Sequence, residues 1–180
     1  MATQELLFDM QSISLTDPGD AMTKSNEVLE LEKKLDAVLA ALVRDSGGSR
    51  STLRIDDPAR GWEVNFVCAE SVQPGVKSLR GDGGINQRGA ATVSWMVANK
   101  RNLLQDDFAK KDLDPAPPAA LSAVYAAKAQ MLGPLFARDG YLSGWISVHY
   151  VDGPHPFSAG DEQALDRARA EVMRLTGIGS

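Results

Sequence analysis

AQMLGPLFARDGYLSGWISVHYV, residues 129–151, decides the architecture. Two apolar runs flank Ala-Arg-Asp-Gly, and Asp-Gly between such runs predicts a β-hairpin. In the first run, Ala129 to Phe136, apolar residues stand at odd and even positions, as in a strand covered on both faces. Pro134 brings no N–H to a ladder, so a bulge or a free edge is expected there. The second run alternates. Leu142, Ile146, Val148 and Tyr150 point one way; Tyr141, Ser143, Trp145, Ser147 and His149 point the other. Such a strand predicts a sheet with a core side and a binding side.

The surrounding chain bounds the rest. With 180 residues, 43% of them hydrophobic, it can bury one sizeable core. A formal charge of −5 and the absence of a basic run argue against a nucleic-acid surface. A single cysteine, Cys68, excludes an intramolecular disulfide and a thiolate-rich zinc site, and the two histidines show no metal-ligand spacing. No apolar run approaches the roughly 20 residues that span a bilayer, and Glu5 and Asp9 interrupt the only N-terminal apolar cluster. No membrane and a cytoplasmic location are the expectations.

Outward from the hairpin, the two ends of the chain mirror one another. Ser25 or Asn26 caps a helix to about Asp45, with Val28, Leu31, Leu35, Val38 and Leu42 in a three–four stripe that Leu39 widens. Ser158 caps a last helix, in which Leu165, Ala168, Val172 and Leu175 repeat the stripe. Such stripes suit helices covering their own sheet, a dimer seam, or both. Ser51–Asp56 reads as a strand with Leu53 and Ile55 on one face and Thr52 and Arg54 on the other; Trp62–Glu70 reads as the next. Residues 71–89 carry five glycines and no apolar period, a loop predicted to act as a lid or as a plain connection. Ala90–Lys100 reads as a helix with Val93, Met96 and Val97 on one side, 102–107 as a short strand, and Pro118 as the start of a helix bearing Leu121, Val124 and Tyr125. Residues 1–24 form an arm, 25–176 the domain and 177–180 a tail.

This order of elements resembles a GAF domain. The resemblance is carried by Ala129-Gln-Met-Leu-Gly-Pro-Leu, by Asp139-Gly-Tyr-Leu-Ser-Gly-Trp-Ile-Ser-Val and by Phe157-Ser-Ala-Gly-Asp-Glu-Gln-Ala-Leu, with weaker matches at Ser51-Thr-Leu-Arg-Ile and Gly75-Val-Lys-Ser-Leu. It implies an α+β fold: a central antiparallel sheet, the N- and C-terminal helices on one face, and a ligand pocket under the middle helices and loops on the other. Members of the family commonly dimerise through the terminal helices, so a homodimer is implied. The cysteine region of bilin-binding members, the cyclic-nucleotide motif and the several cysteines of the methionine-sulfoxide reductases have no counterpart in this sequence.

Eight residues are candidate ligand contacts: Arg54, Glu70, Trp95, Tyr125, Gln130, Trp145, Ser147 and His149. Arg54 can clamp a carboxylate through two parallel hydrogen bonds, or pair with Glu70 or Asp56. Glu70 ends an apolar strand face, where a carboxylate can serve as acid or base or reach solvent at the strand end. Trp95, Tyr125 and Trp145 can wall an aromatic pocket or fill a core. Gln130 interrupts an apolar strand and can orient a ligand. His149 shares its face with Trp145 and Ser147, while His155, in a loop, is expected to be solvated. Ser147 lacks a nucleophile elbow, so no catalytic triad is predicted, and neither catalytic residues nor a cofactor or metal is assigned. The function expected is a sensory domain binding a small organic ligand, aromatic or carboxylated. The alternative is an enzyme on the same fold using Glu70 and His149 as an acid–base pair.

Overall fold

Helix α1, Asn26–Ser46, begins where the Ser25 side chain accepts a hydrogen bond from the Val28 N–H at 3.3 Å, and stops at Gly47 with φ 66°. Helix α4, Ala159–Thr176, starts at a reciprocal capping box between Ser158 and Asp161 and stops at Gly177. A computed structural model describes residues 24–81, 83 and 86–180; the expected N-terminal arm lies, but for Lys24, outside the described residues.

Between the end helices run β1 (Arg50–Ile55), β2 (Ala69–Val72), α2 (Ala91–Asn99), β3 (Leu103–Gln105), α3 (Ala119–Ala123), β4 (Ala129–Phe136) and β5 (Leu142–Tyr150). The strands form one antiparallel sheet in the order β2-β1-β5-β4-β3. Gly140, at φ 85°, closes the hairpin turn, and its N–H bonds the Ala137 carbonyl. Gly144 admits β1: a Cβ there would lie 2.2 Å from the Arg54 carbonyl oxygen.

Part of each helix stripe is buried against the sheet, while Val28, Leu31, Val38 and Leu175 stay partly exposed. Leu35, Leu39 and Leu42 of α1 and Leu165, Ala168 and Val172 of α4 join Leu53, Ile55, Met131, Leu135, Ile146 and Val148 in one core. The opposite sheet face carries two smaller clusters, one around Met96, Leu132 and Trp145 and one around Leu79, Leu121 and Tyr125. The α+β architecture is thus the one the resemblance implies.

Four local expectations need correction. The strand expected over 62–70 survives only as Ala69–Val72. Trp62 bridges back to Asp57 and its indole N–H donates to Glu32 of α1 at 2.9 Å; the chain then turns, leaving Phe66 49% exposed. Leu142 sits with Trp145, not with Ile146, because the ladder slips between Leu135 and Phe136. One extra residue on β5, Ser143, reverses side-chain direction beyond it. Val97 and Val124 are about half exposed, since α2 stops at Lys100 and α3 has only five residues. His155 is half-buried and stacks on Tyr150 at 4.0 Å, rather than standing in solvent. The irregularity foreseen at Pro134 takes both forms: β3 pairs no further than Leu132, and the slip follows one residue later.

Candidate functional site

On the face away from α1 and α4, a row of polar side chains crosses four strands of the sheet. Arg50 of β1 is the ladder partner of His149 on β5, His149 of Gln130 on β4, and Gln130 of Gln105 on β3. All four are almost completely buried. Each polar group in such a place needs a partner. The Arg50 Nε–H donates to His149 Nδ1 at 3.2 Å, and its Nη1 donates to the Lys77 carbonyl. At the other end, Gln130 Nε2 donates to Gln105 Oε1, and Gln105 Nε2 donates to the Pro115 carbonyl. Arg50 Nη2 and Gln130 Oε1 are buried without a partner.

A cavity of about 30 Å³ opens beside this row. A water needs about 10–15 Å³ of such space, so there is room for one or two waters. Its floor is sheet: Thr52 and Arg54 of β1, Gln130 and Leu132 of β4, and Trp145, Ser147 and His149 of β5. Its cover comes from Thr92 and Val93 of α2, Leu121 and Tyr125 at α3, and Leu79 and Gln87 of the glycine-rich loop. The described lining contains no aspartate or glutamate. Burial, then the charges of Arg50 and Arg54, push His149 well below the ordinary histidine range. It is therefore neutral at physiological pH. Because Nδ1 accepts from Arg50, its proton is on Nε2. Among the described residues, the charges that act on His149 are the guanidinium groups of Arg50 and Arg54, which favours an anionic or electron-rich guest.

Six of the eight sequence candidates line this cavity: Arg54, Tyr125, Gln130, Trp145, Ser147 and His149. Arg54 holds neither Asp56 nor Glu70 by the ion pair considered from sequence; its Nη1 donates to the carbonyls of Val64 at 3.2 Å and Asn65 at 2.7 Å. Glu70 is not in the lining. One carboxylate oxygen accepts from the Ser78 hydroxyl and the other from the Leu79 N–H, 2.7 Å away. Both Glu70 oxygens are so engaged, and His149 Nδ1 is held by Arg50. Trp95 is also outside, half-buried at the edge of the Met96 cluster with Arg101 over its ring at 5.2 Å.

Glu70 has a different task. With Arg50 on the Lys77 carbonyl and Asp36 of α1 accepting from Arg80 at 2.7 Å, it ties residues 77–80 to the sheet and so seats Leu79 over the cavity. Asp56 fastens the far end of the same loop, accepting from Arg88 at 2.7 Å and Tyr141 at 2.9 Å. Burial acts to raise the Asp56 pKa, but these bonds outweigh it and hold the carboxyl below its usual range.

Arg50 and Gln105 were missed from sequence. Arg50 had a signal: starting β1 one residue earlier puts it on the face of Thr52 and Arg54. Gln105 had none beyond a polar residue after two leucines. Cys68 lies in the helix-side core, its Sγ donating to the Leu53 carbonyl, and burial pushes its thiol up to about 12. Among the described residues, no three His, Cys, Asp or Glu side chains converge on a metal-binding geometry. No helix among them is long and apolar enough to cross a membrane.

No family model and no curated protein matches the chain. Solved structures do. The cyanobacteriochrome receptor PixJ is 20% identical, with a TM-score of 0.64 over 83% of this chain and 97% of that one. The GAF domain region of a putative membrane protein from Geobacter sulfurreducens PCA is 15% identical, with a TM-score of 0.61 over 84% of this chain and 96% of that one. A far-red absorbing protein in its dark state, with biliverdin IXa bound, is 15% identical, with a TM-score of 0.57 over 83% and 97%. Helix pair, five-stranded antiparallel sheet and covered cavity together have the fold of a GAF domain.

Proposed function

We propose that this chain is a sensory GAF-type module that binds a small organic acid on the outer face of its sheet. The observation that carries the reading is a cavity with Trp145 and Tyr125 in its walls, two guanidinium groups acting on His149, and an unpartnered Gln130 oxygen. Buried polar atoms left unpaired cost about 1–3 kcal/mol each, and a ligand that pairs them recovers that cost. The photoreceptor and biliverdin-bound neighbours support a small-molecule role for the fold. They do not supply the ligand: Cys68 faces the terminal helices, away from the cavity, so a thioether tether from it has no path there. Because the cavity is narrow, ligand entry requires the cover to move, and the energy of that opening lowers the apparent affinity.

The terminal helices also offer the surface for a homodimer. Leu29 is exposed on α1, and Val38 and Ala41 border a groove against Arg167 and Glu171 of α4.

The test is native mass spectrometry of the purified chain, followed by a thermal-shift screen of aromatic acids, amino acids and nucleotides. Ligand at 100 times its dissociation constant adds about 2.7 kcal/mol. Acids are expected to raise the melting temperature; a flat response across all three classes would sink the reading.

A further inference from the structure

We infer that the break between His149 and Gln130 reads a hydroxyl group, and that the ligand is a hydroxylated aromatic acid; this rests on the acid-binding reading above. The polar row has a direction. Arg50 donates to His149, while Gln130 donates to Gln105 and Gln105 to the Pro115 carbonyl. That carbonyl can only accept, which fixes both amides: Gln105 must present its oxygen to Gln130, and Gln130 must turn its own oxygen away. Gln130 Oε1 is then an acceptor with no donor. On the neighbouring strand, the Arg50 bond makes His149 Nε2 the donor.

His149 and Gln130 are direct ladder partners, whose Cβ atoms stand about 5 Å apart in such a pair. The donor series therefore runs from Arg50 to Pro115 with one missing member. The member must accept from His149 and donate to Gln130. A hydroxyl oxygen does both in one atom; an ether or carboxylate oxygen only accepts, and an ammonium only donates. The free space beside the row, about 30 Å³, has room for a hydroxyl group. A water fits the same description, and a hydroxyl that reproduces its bonds displaces it without loss. The space as it stands takes no ring, so the cover must open first; the ring then lies against Trp145 and Tyr125, and the anionic group on the side of Arg50 and Arg54.

The experiment is calorimetric titration of the full chain with benzoate, 3- and 4-hydroxybenzoate, and the matching methoxybenzoates, which accept but cannot donate. At least one hydroxybenzoate is expected to bind ten times more tightly than benzoate, with the gain lost on methylation. In Gln130→Met the ratio of hydroxybenzoate to benzoate affinity is expected to fall to near one. The ligand series is read on the native chain, so it stands even if that variant does not fold. Equal binding of benzoate and both hydroxybenzoates would overturn the hydroxyl assignment and leave acid binding intact. Failure of every acid to bind would overturn the acid-binding reading itself.

Discussion

The two faces of the sheet are built on different terms. The helix face is one continuous apolar core, closed by two long capped helices. The outer face has two smaller clusters, a five-residue helix, and a loop held by side-chain hydrogen bonds. Apolar contact is non-directional and grows with area buried, so the first face is the chain's main source of stability. Directional bonds hold only what they touch, so the second face can rearrange while the first stays folded. The sensory role proposed above calls for that division: one side that persists and one that answers a ligand.

The largest test of the asymmetry is truncation. Leu39→Ala on the helix face is expected to cost about 2–5 kcal/mol in urea unfolding, and Leu121→Ala in the cover less than half as much. Equal losses would erase the distinction. Next comes the loop fastening. Glu70→Gln replaces a carboxylate accepting from Ser78 and Leu79. Hydrogen bonds to charged groups are worth about 1.5–3 kcal/mol, and since Gln keeps one acceptor, a loss of about 1 kcal/mol is expected. Amide exchange should speed up at residues 77–80 and stay unchanged in β4 and β5; faster exchange throughout would mean that the loop and core are one unit.

The third test is acid. His149 has its pKa depressed in the folded chain by burial and by Arg50 and Arg54. Below the unfolded value of about 6.5, the unfolded chain takes up a proton that the folded chain refuses. Stability is therefore complete above about pH 6.5 and falls as the pH drops toward the folded pKa, by at most about 1.4 kcal/mol per pH unit. His149→Gln should flatten that limb; an unchanged limb would place the titrating group elsewhere. The smallest effect is chemical. Cys68 is buried with its thiol pushed up to about 12, so it should ignore a thiol reagent at pH 8 until the chain is unfolded. Rapid labelling of native protein would contradict the placement of Cys68 in the core.

By itself the sequence determined the hairpin, the caps and stripes of the end helices, and the side of the sheet on which Trp145, Ser147 and His149 stand. Period and turn chemistry are local, and they fix which way a side chain leaves the backbone. Only the tertiary structure decided what each polar atom meets. Glu70 turned from the cavity to Ser78 and Leu79, Trp95 stayed at its edge, Ser143 bulged and carried Leu142 across the sheet, and Arg50 entered beside His149. Strand register joins residues as far apart as Arg50, Gln105, Gln130 and His149 into one row. A hydrogen bond depends on that register to within an ångström, and no run of neighbouring residues contains it.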